Sequence, residues 1–148
     1  MIRLTKEFTF EAAHALWGYD GKCRELHGHS YRLFVTVAGE PSSDESSPKL
    51  GMVMDFGELK HIVTREIVSR LDHALILRRS EEAERLRACL EGIAERVVTV
   101  DYQPTCENML YDFAARIGKA LPSGVKLHSL RLHETATSYA EWFAADNE

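Results

Sequence analysis

The sequence predicts an α+β fold built on an antiparallel sheet, and three observations carry that prediction. Alternating, extended segments sit at both ends of the chain, helical periodicities fill the middle, and no repeat or low-complexity tract interrupts them. At 148 residues the chain is expected to form one domain, residues 1–148, with a respectable core.

Ile2, Leu4, Phe8 and Phe10 share one parity, while Arg3, Thr5, Glu7, Thr9 and Glu11 share the other, which reads as a strand with one buried face. Residues 31–38, YRLFVTVA, are rich in β-branched and aromatic types and read as a second strand, with WGYDGK as loop between the two. The polar stretch 39–49, GEPSSDESSPK, is an exposed connection, and GMVM after it looks like a returning strand. Asp55 can cap a helix, with Glu58 three residues on, and Leu59, Ile62, Val63, Ile67 and Leu71 follow at helical spacing. Ser80 opens another helical pattern, with Leu86, Cys89, Leu90, Ile93 and Val97 inward. VVTVDY is a short strand, and Pro104-Thr105 starts a helix with Met109, Leu110, Phe113 and Ile117 inward, stopped by LPSG. Residues 125–134 alternate again, and 138–143 form a last short strand.

Composition narrows the function. A net charge of −5 removes any general attraction to nucleic acid or anionic lipid, so an anionic substrate needs locally placed cations. The start, MIRLTKEFTFEAAH, has no apolar core of a signal peptide, and no apolar run is long enough to cross a bilayer. Three cysteines, an odd number, point to reduced thiols and a cytoplasmic location.

The chemistry concentrates in CRELHGHSY, residues 23–31. His27 and His29 are two apart on an expected strand, so both imidazoles face one side, and Gly28 leaves room on the other. His14 ends the first strand and comes beside them if the two strands pair antiparallel. Three neutral imidazoles make a catalytic zinc shell with a fourth position open; the plain alternative is three unrelated histidines. Cys23 is either a fourth ligand closing a structural site or a catalytic thiol. A free thiol is only about 3% thiolate at pH 7, and a neighbouring metal or imidazole raises that fraction.

Other residues carry weaker signals. Asp72-His73 after the first helix reads as a proton-transfer pair or as a helix-end dipole arrangement. Glu134 falls at the end of an apolar stripe with Leu130 and Leu132, where a carboxylate needs a partner such as two N–H donors of a ligand, or a salt bridge. Glu107 sits in the first turn of a helix, which stabilises a carboxylate in any case. Cys89 and Cys106 read as core; His61, His128 and His133 read as structural or exposed.

FTFEAAH, CRELHGHSYRL, VMDFGELK, LDHALIL, PTCENML and ETATSYAEW stand in an order and spacing that resemble the 6-pyruvoyl-tetrahydropterin synthase family from about residue 4 to residue 143. The Cys-x-x-x-His-Gly-His spacing is similar to the bacterial branch, the 6-carboxy-5,6,7,8-tetrahydropterin synthases of queuosine biosynthesis. The resemblance implies a tunnelling fold: a four-stranded antiparallel sheet with two main helices on one face, and subunits forming a barrel, commonly a homohexamer of two trimers with active sites between subunits. It implies Zn2+ held by His14, His27 and His29, catalysis by Cys23 with Asp72 and His73 reaching in from a neighbouring subunit, and a pterin anchored by Glu134 beside Thr105 and Glu107. The chain departs from relatives at Glu25, lacks the Asn common after LDHALIL, and is longer at 41–49 and 80–97.

The expected activity is a zinc-dependent lyase reaction. It converts 7,8-dihydroneopterin triphosphate to 6-carboxy-5,6,7,8-tetrahydropterin, releasing acetaldehyde and triphosphate. Two alternatives stand beside it: a 6-pyruvoyl-tetrahydropterin synthase that keeps the three-carbon side chain, and a zinc-stabilised pterin-binding module without turnover. No nucleic-acid or membrane partner is expected.

Overall fold

The computed structural model describes residues 1–147. Strand β1 (Ile2–His14) pairs antiparallel with β2 (His27–Gly39) along its full length, in a register that sets Phe8 opposite Leu33, Phe10 opposite Tyr31 and His14 opposite His27. The hairpin connection between them holds one 3₁₀ turn, Lys22–Arg24. Helix α1 (Phe56–Val63) continues through a π-helical turn, Thr64–Val68, into a last short turn α2 (Ser69–Leu71). Then come β3 (Ala74–Arg78), α3 (Glu81–Leu90), β4 (Val97–Val100), α4 (Cys106–Ala120), β5 (Val125–His133) and β6 (Tyr139–Phe143).

The sheet runs in the order β4-β3-β1-β2-β5-β6. Its antiparallel part, β1-β2-β5-β6, is the expected four-stranded unit, and α1 and α4 cover one face of it. The sheet nevertheless has six strands and is mixed, because β3 pairs parallel with the end of β1, and β4 parallel with β3. β3 escapes a periodicity reading for a physical reason. Ala74, Ile76 and Leu77 are all buried, so this inner parallel strand shows an apolar run rather than alternation.

One apolar stripe runs across the covered face: Phe8, Phe10 and Ala12 on β1, Tyr31, Leu33, Val35 and Val37 on β2, and Leu127, Leu130 and Leu132 on β5. Helix α1 with its continuation lays Leu59, Ile62, Val63, Ile67 and Leu71 on that stripe, and α4 lays Met109, Leu110, Phe113 and Ile117 there. Phe10 stacks on Tyr31 with centroids 5.0 Å apart and meets the edge of Phe113 at 6.3 Å. The opposite face is polar, with Thr5 bonded to Thr36, Glu7 to Arg32 and Glu11 to Ser30. Helices α1, α3 and α4 begin on a cap: Asp55 accepts from the Gly57 amide, Ser80 from Ala83 and Thr105 from Asn108.

Two local expectations are corrected. Residues 51–54 form no returning strand: Gly51 adopts φ 80°, and the loop folds on itself through Ser42 N–H to Met52 O and Gly51 N–H to Ser42 O. Cys89 is not core but exposed. Helix α3 packs on a small satellite cluster of Ala15, Leu77, Ala83 and Val97 through its face bearing Ala83, Leu86 and Leu90, and it ends before Ile93, which is 81% exposed. Cys106 is buried, its thiol donating to the Leu132 carbonyl at 3.1 Å, and burial pushes it up to about 12. Among the described residues, no helix is long and apolar enough to cross a membrane.

Candidate metal centre

The strand alternation that builds the core also builds the site. Continuing the buried parity of β1 beyond Phe10 and Ala12 reaches His14; continuing that of β2 back from Leu33 and Tyr31 reaches His29 and His27. Three imidazoles therefore end the apolar stripe. Their ligand atoms all lie within 4.8 Å of one another, the sole such gathering of His, Cys, Asp or Glu among the described residues.

Backbone carbonyls fix how two of the rings present themselves. His14 Nδ1 donates to Pro104 O at 2.8 Å, and His27 Nδ1 donates to Glu25 O at 2.7 Å. A neutral ring that donates from Nδ1 keeps a lone pair on Nε2. The two Nε2 atoms face each other 3.0 Å apart, and His29 Nε2 is buried without any partner. Two lone pairs aimed at each other need a cation between them. Two nitrogens on one tetrahedral zinc ion, each at about 2.05 Å, sit about 3.3 Å apart, close to this spacing. Burial holds His14 below the ordinary histidine range, with the neighbouring imidazoles adding to it against the Pro104 bond and Glu134. Burial also lowers His29. Both shifts favour the neutral, ligand-competent ring, so the residues present fit a metal ion.

Glu134 follows the end of β5 and is held by its amide on Ser138 O. Its carboxylate lies 3.7 Å from both His14 Nε2 and His29 Nε2. Beneath it Tyr31 is fully buried, with its hydroxyl 3.5 Å from His14 Nδ1. Burial first and the Glu134 carboxylate second push that phenol up, so Tyr31 stays protonated. By sequence alone Tyr31 is an aromatic of the second strand, and no spacing signal marks it as a neighbour of the histidines.

The remaining site candidates are distributed unevenly. Thr105 caps α4 directly after Pro104, which places it beside the His14 ring. Glu107, two residues on, is exposed and lines a groove with Ala140 and Trp142 of β6 that none of the three imidazoles lines. Cys23 lies half-buried in the 3₁₀ turn, its carbonyl accepting from the Leu16 amide, and its sulfur is outside the histidine gathering.

Asp72 and His73 stand elsewhere in the chain. Asp72 Oδ1 accepts from the Glu11 amide at 3.0 Å and from His73 Nδ1 at 3.1 Å. The Glu11 bond, helped by His73 and Arg96, holds the Asp72 carboxyl below its ordinary range. Ala12 pairs with His29 on one edge and Ala74 on the other, so in the sheet β1 lies between the start of β3, next to His73, and the strand that bears His27 and His29. His73 lines an open cavity of about 570 Å³ with Glu11, Ala13, Gly28 and Ser30 of the outward parity, and with Ala12 and His29 of the inward one.

Fold and centre together define a class: an α+β protein that gathers three imidazoles, able to hold a metal ion, at one end of its antiparallel sheet. The chain belongs to the 6-pyruvoyl tetrahydropterin synthase family, whose sequence profile matches residues 3–145. It is 36% identical over 143 residues to 6-carboxy-5,6,7,8-tetrahydropterin synthase of Haemophilus influenzae, covering 96% of this chain and 99% of that protein. Over 139 residues it is 37% identical to the protein of the same name from Synechocystis, covering 94% and 91%. The fold is also that of Plasmodium falciparum 6-pyruvoyl tetrahydropterin synthase, with a TM-score of 0.69 at 20% identity over 95% of this chain and 96% of that one.

Proposed function

We propose that this chain is a zinc-dependent 6-carboxy-5,6,7,8-tetrahydropterin synthase of queuosine biosynthesis. The observation that carries the reading is the paired Nε2 atoms of His14 and His27 beside the unpartnered Nε2 of His29. Near-full-length relatives of that name support the choice of reaction. The substrate is 7,8-dihydroneopterin triphosphate. One water is consumed, and 6-carboxy-5,6,7,8-tetrahydropterin, acetaldehyde and triphosphate are released. The change is redox-neutral overall: the ring gains two hydrogens while the side-chain carbon attached to it becomes a carboxyl. It therefore requires no external oxidant, only groups that move protons.

His14, His27 and His29 hold the zinc ion, which supplies Lewis-acid polarisation of side-chain oxygens when bound. The chain's own side chains do the rest. Glu134 accepts two N–H donors of the amino-pyrimidine edge, with Thr105 and Glu107 as further pterin-binding groups. Tyr31, kept protonated by burial and by the Glu134 carboxylate, keeps a hydroxyl donor at the floor of the site. Cys23, as thiolate, and the Asp72–His73 pair remove and return protons on the side-chain carbons. Asp72 orients the His73 ring through its Nδ1 bond and leaves Nε2 for the substrate.

In the sheet, β1 lies between the Asp72–His73 pair and the strand bearing His27 and His29, which supports a site completed by a neighbouring subunit. The two outermost strands, β4 and β6, each leave one edge unpaired within the chain, as subunits joined into a barrel require. A cytoplasmic homohexamer of two trimers is the assembly proposed.

The test is product analysis. Zinc-loaded protein is incubated with 7,8-dihydroneopterin triphosphate, and products are identified by mass spectrometry together with an acetaldehyde assay. Carboxy-tetrahydropterin with an equal amount of acetaldehyde is expected. A pyruvoyl product without acetaldehyde overturns the reaction while leaving the family untouched, and intact substrate points to a binding protein.

A further inference from the structure

His73 is the one non-glycine residue among those described with a left-handed backbone, at φ 59°. Such a residue holds its conformation only where its surroundings determine it. On one side β1 supplies that determination: the His73 amide donates to Glu11 O at 2.6 Å, and the Glu11 amide donates to Asp72 Oδ1. On the other side a single residue grips the corner from both ends. Arg96 Nε donates to Asp72 O at 3.1 Å and Nη2 to Ser69 O at 3.0 Å, with Arg70 O at 3.5 Å. The Arg96 carbonyl in turn accepts from the Leu75 amide at 2.8 Å.

We propose that Arg96 is a positioning residue for the reaction: a guanidinium clamp that fixes the left-handed Asp72–His73 corner and so the direction in which the His73 imidazole points. The inference rests on the functional reading given above. The Arg96 side chain binds the peptide before His73 and its main chain binds the amide two residues after, so the corner cannot rotate without breaking both. The planar fork matters. One guanidinium reaches the orphan carbonyls of the last helical turn and the Asp72 carbonyl at once, and its charge suits the negative end of the helix. A lysine carries the charge but not the fork.

This gives the 80–97 segment a task. Residues 79–95 leave β3 and return, through Ser80-capped α3 and its satellite core, to Arg96 at the foot of β4. Arg96 lines the same open cavity as His73 without competing for its ring, since its hydrogen bonds go to backbone carbonyls.

The experiment compares wild type, Arg96→Ala and Arg96→Lys in the zinc-loaded protein, by kinetics and by amide hydrogen exchange of the peptide covering residues 69–76. Arg96→Ala is expected to lower kcat by about tenfold or more with KM and zinc content unchanged. Exchange is expected to accelerate in 69–76 and to stay as in wild type across α4. Arg96→Lys should fail to restore either. In a His73→Ala background, adding Arg96→Ala should lower kcat no further, because both changes act through one ring. Wild-type exchange in 69–76 overturns the clamp whatever the activity. Faster exchange with undiminished kcat overturns the positioning role, as does an additive loss in the double variant. A wild-type protein that does not turn the pterin over overturns the functional reading instead, and the exchange measurement then still decides the clamp.

Discussion

At the scale of single residues, the decisive arrangement is a ring nitrogen bonded to a carbonyl. Pro104 O and Glu25 O each take an Nδ1 proton and so hold the Nε2 lone pairs of His14 and His27 toward one point. Replacing His27 with Ala should weaken zinc binding by on the order of 100-fold or more, measured by competition with a chromogenic chelator. Cys23→Ala should keep the full zinc content and lose turnover; loss of zinc with the thiol would make Cys23 a ligand. The lowered His14 and His29 also give the metal-free protein a pH dependence whose sign is fixed. Below about pH 6.5 the unfolded chain protonates these rings while the folded chain does not, so the unfolded state binds more protons and stability falls on acidification. Above about 6.5 neither state gains a proton there, and their contribution is level. The depressed carboxyl of Asp72 titrates lower, below about 4, so its window is separate. Urea unfolding of the metal-free protein at pH 5 and pH 7.5 measures the slope, and His14→Gln should flatten it. The histidine residues were legible because spacing and strand parity are properties of sequence. Tyr31 and the two carbonyls were not, since nothing local says which aromatic or which peptide group will lie beneath a ring folded in from elsewhere.

At the scale of elements, the site depends on α4, whose first residues bring Pro104 and Thr105 to His14 while its apolar face lies on the sheet. Phe113 is its anchor, fully buried and edge-on to Phe10. Phe113→Ala should cost about 3–5 kcal/mol, the range for emptying a packed aromatic site. Calorimetry should record the fall in melting temperature together with weaker zinc retention, because α4 carries the carbonyl that orients His14. Elements with one clean period were readable in advance: the β1 alternation, the α1 stripe from Leu59 to Leu71, and the α4 stripe from Met109 to Ile117. Those that failed lacked such a period. β3 is buried without alternation, and residues 51–54 turn on a left-handed glycine instead of extending. The face of α3 is not readable at Cys89 because Ala83 of the helix meets only three buried partners, Ala15, Leu77 and Val97, too few to demand a full apolar stripe.

At the scale of the whole molecule, one sheet carries the histidine centre at the ends of β1 and β2 and the Asp72–His73 pair on the other side of β1 from β2. In the proposed reading, Cys23, the imidazoles and the Asp72–His73 pair meet on one substrate because subunits share sites. Sharing has a consequence that no account within one chain can imitate. Cys23→Ala and His73→Ala homomers should each turn over far more slowly than wild type, for different reasons. When the two variants are unfolded, mixed in equal amounts and reassembled, each chain carries the group that the other lacks. A site needs an intact thiol from one chain and an intact imidazole from its neighbour, so random assembly should restore roughly a quarter of the sites. Mixing without unfolding should restore activity only as fast as subunits exchange. If the catalytic groups came from the same chain, every site in the mixture would lack one of them and activity would stay at the level of the homomers. Mixing therefore separates a shared site from a self-contained one by a rate, with no need for a structure of the assembly.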